Sequence, residues 1–260
     1  MNYFFFLDHP DKELTTSLDL FNMPPSKTWS KQKLYDVIAH AFYSDGDKWI
    51  FHNLGVIKKN EYLSKNKKNL PLSFHNKSVF VSLNKNEIKY SQKLIHENYM
   101  NSIPAWRANI KIQSHSTACS YQGEIPSSLT ERNLSLVSCS PMIQSNSNIF
   151  SYFYLVNLNS HPSKFKFKVN ILNKNKETIY SDYFFTNTVN MLDLKHLKKD
   201  FNEKMYIFTS EERGGIPIYF SKSKDNKSLS LEHTHPPTEY TIHGNRIFFQ
   251  KEKKNHWFSK

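Results

Sequence analysis

The chain has 260 residues, enough to bury a core without disulfide staples, and its two cysteines, Cys119 and Cys139, exclude a disulfide-rich scaffold. Apolar residues at 38% and aromatics at 15%, with 20 Phe and 14 Tyr, exclude a largely disordered chain and favour strands. The formal charge of +12 invites an anionic partner, yet 31 of the 35 basic residues are Lys; with 26 Asn this reads as compositional drift and argues against nucleic-acid binding.

Residues 1–105 read as a mixed α/β region. The opening "MNYFFFLDHPDKE" has an apolar run but no basic segment before it and no small-residue cleavage site, so a signal peptide is not expected. "FNMPPSKTWS" is a loop in which Ser30 can cap a helix starting just after it. In "KQKLYDVIAHAFYS", Leu34, Val37, Ile38, Ala41 and Phe42 fall at helical spacing and predict an amphipathic helix. "DKWIFHNLGVI" and "SVFVSL" predict strands, "KKNEYLSKNKKNLP" a flexible lysine-asparagine loop, and "EIKYSQKLIHENYM" a second helix. No window approaches 18 consecutive apolar residues, so no membrane span is expected and the chain reads as soluble and cytoplasmic.

From about Ala108 the pattern shifts to period two, in "ANIKIQ", "FSYFYLVNLN", "KFKFKVNIL", "TIYSDYFFT", "IPIYFSKS" and "LSLEHTH". Short alternating strands separated by Asn-, Pro- and Ser-rich turns predict an antiparallel β-sandwich or jelly-roll-like domain over residues 106–260. One short helix, "LDLKHLKKDF", interrupts the series, and "HGNR" predicts a tight hairpin near the C-terminus. In "KFKFKV", Lys164, Lys166 and Lys168 share one face, either a basic strip or an outer face guarded by lysines.

The densest polar stretch is "SLEHTHPPTEYTIHGN". His233 and His235 sit two apart on one strand face, and the turn imposed by Pro236 and Pro237 can return Glu239 toward them. Two imidazoles and a carboxylate suit one divalent metal, zinc or iron, with Glu232 or His243 in proton transfer. The spelling His-x-His-x-x-x-Glu resembles part of the first metal motif of the cupins over seven residues. Lys227 stands where that motif has its glycine, and Gly244 follows Glu239 too closely, so membership is not assigned.

A second polar stretch comes after "ANIKIQ" and offers His115, Tyr121, Gln122 and Glu124 to a small polar ligand, with Arg107 placed to orient an anionic one. Cys119, four residues from His115, is read first as a small buried hydrophobe and only second as a nucleophile. No phosphate-loop, dinucleotide-binding or nucleophile-elbow motif occurs. The leading expectation is a binding or accessory protein for a small polar molecule or carbohydrate, its pocket at one end of the sandwich. A metal-dependent enzyme is the alternative, and a lysine-driven anion or nucleic-acid module the third.

Overall fold

The computed structural model describes residues 2–23, 35–95, 107–126, 136–140, 147–195, 197, 206–210, 213–233 and 259. Its regular structure is mainly β, the strand pairings with a described register are antiparallel, and among the described residues no sheet closes into a barrel. Contacts divide the chain into two units. The first comprises Met1–Glu131 with two short returns, Leu158–Lys164 and Asn187–Val189; the second holds the remainder. Among the described residues no helix is long and apolar enough to cross a membrane.

The first unit carries two sheets. One has six strands in the order β10-β1-β6-β3-β4-β7, formed by β1 (Asn2–Phe5), β3 (Val37–Ser44), β4 (Trp49–Ile57), β6 (Phe80–Asn84), β7 (Tyr90–Ser91) and β10 (Ile125–Pro126). The other has four in the order β5-β2-β8-β9, from β2 (Thr15–Phe21), β5 (Tyr62–Asn66), β8 (Arg107–Gln113) and β9 (Ala118–Gln122). Residues 107–126, grouped by pattern with the later domain, therefore fold into the first unit. Seven residues of β8 pair with β2, and β10 pairs with β1.

Strand register builds the core of this unit. Phe5 pairs with Phe80, Phe80 with Phe42, and Phe42 with Phe51, which lines four aromatic rings across four strands. Phe42 stacks on Phe51 at 5.0 Å and meets Trp49 edge-on at 5.4 Å. Such pairs add about 0.5–1.5 kcal/mol each beyond the area they bury.

Among the described residues of the region expected to be mixed α/β, the regular structure is mainly strand, with one 3-10 turn and one four-residue helix. The helix expected over "KQKLYDVIAHAFYS" is replaced from Val37 by β3; residues 24–34 lie outside those described. The reason is burial on both faces. Val37, Ala39 and Ala41 on one side and His40 and Phe42 on the other are all fully enclosed, so no polar alternation marks the strand. The second expected helix likewise gives way, up to residue 95, to β7 and non-helical chain.

The lysine-asparagine "loop" is ordered too. It forms β5, then a 3-10 turn Lys67–Asn69 whose cap Asn66 accepts from the Lys68 amide, then the short helix α1 (Leu72–His75).

The second unit pairs β11 (Leu136–Ser140), β16 (Tyr206–Ser210), β13 (Lys166–Leu172) and β14 (Thr178–Phe185) in one four-stranded sheet, in that order. A second four-stranded sheet runs β15 (Thr188–Asp193), β12 (Ile149–Asn157), β17 (Ile216–Ser223) and β18 (Leu229–His233). Both sheets send side chains into one core: Phe153, Leu155 and Tyr219 from the latter, Phe167, Phe184 and Phe208 from the former. Phe153 stacks on Phe208 with ring centroids 4.1 Å apart. Of the expected helix "LDLKHLKKDF", Leu192 lies in β15, and Leu194 and Leu197 are buried in this core; the stretch beyond residue 197 and the "HGNR" hairpin lie outside the described residues.

Among the described residues asparagine supplies three of the four left-handed positions not held by glycine. Asn60, Asn187 and Asn226 have φ of 63°, 56° and 56°, and Lys176 is the fourth. The short asparagine side chain tolerates that region better than other residues do.

Candidate functional site

The polar residues singled out from the sequence fall in both units. Arg107 begins β8 opposite Phe21. His115 is exposed at the tip of the β8–β9 hairpin, where the Ser114 amide donates to the Thr117 carbonyl at 2.8 Å. Tyr121 is buried opposite Ile110, while Gln122, one residue on, is exposed opposite Asn109. The two therefore present to opposite faces of β9. Glu124 is partly buried near Tyr121; burial first, then the Glu124 charge, raises the Tyr121 phenol above its ordinary range. Burial also pushes the Cys119 thiol up to about 11, which keeps it protonated at neutral pH and fits the hydrophobe reading.

In the second unit Glu232 is exposed on β18 opposite Tyr219, and His233 occupies the neighbouring position opposite Ile218. His235, Glu239 and His243 lie outside the described residues. Among the described residues no three His, Cys, Asp or Glu side chains gather as a metal group.

A site the sequence did not announce lies in the first unit. Asp8, His9, Leu14, Thr16, Lys67, Lys68 and His75 line a cavity of about 180 Å³. The buried run of Phe4, Phe5, Phe6 and Leu7 fixes the chain just before Asp8, and the 3-10 turn and α1 deliver the lysines and His75. Lys67 is 6% exposed, and its ammonium donates to Asp8 Oδ2 and, at 2.6 Å, to the Lys77 carbonyl. Burial raises the Asp8 carboxyl above its usual value, and the Lys67 cation opposes that shift.

Both imidazoles are held in place. His9 Nδ1 accepts from the Asp11 amide at 3.0 Å, and His75 Nε2 lies 2.8 Å from the Leu70 carbonyl. With Asp8 committed to Lys67, the Lys68 ammonium and the buried Thr16 hydroxyl remain as donors in the lining. The hollow has room for several waters or a small polar molecule.

A second titratable cluster, around His40, serves stability. His40 is fully buried; the Ile88 amide donates to its Nε2 at 3.2 Å, Asn84 lies 3.2 Å from Nδ1, and Glu87 Oε2 lies 3.6 Å from Nε2. Burial lowers its pKa from 6.5 despite the opposing Glu87 carboxylate, and the nearby His52 lowers it further. Below pH 6.5 the unfolded chain takes up a proton that the folded chain refuses until its own lower pKa is reached. This stability is therefore complete above the unfolded value and is lost as pH falls through that window, by up to about 1.4 kcal/mol per pH unit. Urea midpoints for wild type and His40→Gln at about pH 5 and about pH 7.5 test it, because only the wild type should carry this part of the acid loss.

Comparison with known proteins returns no matching protein-family model and no matching curated sequence.

Proposed function

We propose that this is a non-catalytic binding protein built of two antiparallel β-sandwich units, which takes a small polar molecule bearing an anionic group. The cavity at Asp8, Thr16, Lys67, Lys68 and His75 is the observation that carries the reading. It combines a pre-formed hollow with convergent donors, the usual make-up of a small-ligand site. Asp8 neutralises Lys67 locally, so Lys68 supplies the attraction for an anion. A jelly-roll path for the second unit belongs to the same proposal.

The ligand-binding role of Arg107, His115, Tyr121, Gln122 and Glu124, and the metal at His233, His235 and Glu239, rest on sequence spacing. No described side chain adds support to them.

A thermal-shift titration with inorganic phosphate, short carboxylic acids and monosaccharides tests the pocket. An anionic member should stabilise the wild type, and Lys68→Ala should weaken its affinity about tenfold, the worth of one charge-assisted hydrogen bond. Lys68 is exposed, so the unliganded melting point should not move. Stabilisation by neutral sugars alone, or equal binding by Lys68→Ala, would remove the anionic reading.

A further inference from the structure

The β13–β14 pair in the second unit carries two large exposed rings on one face, Tyr183 at 54% and Phe185 at 45% exposure. Burial is the common fate of aromatics, so two exposed side by side call for a reason. Strand register interleaves them with cations. Lys166 pairs with Phe185 and Lys168 with Tyr183, so rings and ammonium groups alternate across the two strands. The Lys166 ammonium lies 4.0 Å from the centre of the Tyr183 ring. Among the described residues no ion pair engages Lys166 or Lys168.

The two rings are held in position by the pairing of β14 with β13. Tyr183 and Phe185, two residues apart on β14, are spaced by about 7 Å along the strand.

β14 is the edge of its sheet, and beside the two rings that edge is already engaged. Asn190 Oδ1 accepts from the Phe185 amide at 2.8 Å, and Asn190 Nδ2 donates to the Phe185 carbonyl at 2.9 Å. The Tyr183 amide is satisfied by Asp182 Oδ1 at 2.7 Å. An extended peptide would find these backbone groups already engaged, so a partner that meets the rings does so on the sheet face.

We infer that this face binds single-stranded nucleic acid, with bases stacking on Tyr183 and Phe185 and phosphates met by Lys166 and Lys168. Rings give sequence-tolerant stacking and the flanking cations track the backbone, the combination that non-specific single-strand binders use. A polyanion without bases would use the cations and leave the rings idle. The scarcity of arginine argues against duplex base reading and leaves this mode untouched, because stacking needs no bidentate contact to base edges.

The test is fluorescence anisotropy of the full chain with a labelled oligothymidylate of about twelve nucleotides, within the usual site size. Tyr183→Ala and Phe185→Ala should each weaken binding about tenfold or more. Lys166→Ala with Lys168→Ala should flatten the log-log salt slope by about 1.4, at about 0.7 per phosphate contact. Tyr183→Trp keeps a ring in place, and its fluorescence should be quenched as the oligonucleotide binds.

Absence of binding at low salt would overturn the inference, as would affinity indifferent to the ring replacements. Heparin or duplex DNA binding as tightly as the single strand would identify a plain lysine surface and overturn it as well. The ligand pocket lies in the first unit, so Lys68→Ala should leave oligonucleotide affinity unchanged, and the two proposals fail separately.

Discussion

Phe153→Ala should lower the stability of the second unit by about 3–5 kcal/mol, a large part of the roughly 5–15 kcal/mol that holds a typical domain together. Phe153 is fully buried in β12 and its ring is the meeting point of the two sheets. It stacks on Phe208 at 4.1 Å, lies 5.3 Å from Tyr219, and faces Phe184 at 6.2 Å. Truncation removes the transfer energy of a whole ring and leaves a cavity between sheets that hydrogen-bonded strands cannot close. Phe153→Leu refills part of that space and should cost less. Urea denaturation gives the size of the effect, and hydrogen exchange in 149–157 and 206–210 gives its place. A loss below about 1 kcal/mol would mean that this ring does not join the sheets.

Trp49→Ala should have an effect of the same order in the first unit, about 3–5 kcal/mol. The indole is fully buried, packs edge-on against Phe42 at 5.4 Å and Phe80 at 6.5 Å, and donates from Nε1 to the Ser160 carbonyl at 3.0 Å. Trp49→Phe separates the two contributions, because it keeps most of the ring and deletes the donor. The Ser160 carbonyl also accepts from the Leu94 amide at 2.8 Å, so it is not left bare. The phenylalanine variant should therefore lose only about 1 kcal/mol beyond its smaller volume. Equal losses for Ala and Phe would show that the hydrogen bond, not the ring, anchors this site.

Where one face of a strand meets water, the sequence announces it. "KFKFKV" appears as β13 with Phe167 and Val169 buried and Lys166 and Lys168 exposed, and "ANIKIQ" as β8 with Ile110 and Ile112 inside. Where both faces are buried, the signal disappears. β3 reads as an amphipathic helix because Val37, Ile38, Ala41 and Phe42 satisfy a helical period by accident, while enclosure on both sides removes the polar residues that would mark a strand. The lysine-asparagine stretch misleads in the opposite sense. Its composition suggests mobile chain, yet Lys67 is among the buried residues because Asp8 and the Lys77 carbonyl receive its ammonium.

The same division governs the candidate site. Asp8 and His9 are separated from Lys67, Lys68 and His75 by about sixty residues, and no spacing rule joins groups so far apart. The nearest thing to a local signal was the Asp-His-Pro at the end of a fully apolar run, a charged residue anchored beside a core strand. Tyr121 and Gln122, adjacent in sequence and read together as ligand-binding, are turned to opposite faces by the pleat.

By itself the sequence determined that the chain is rich in β-structure, that asparagine would serve its turns, and which strands have a wet face. These come from local chemistry: period-two alternation, aromatic content and the tolerance of asparagine for left-handed backbone. The tertiary structure alone decided that the early region is also rich in sheet, that the strand at 107–113 pairs with β2, and that Asp8 meets Lys67. Those outcomes depend on strand pairing between distant segments, where hydrogen-bond register and burial are settled by partners that no local window contains.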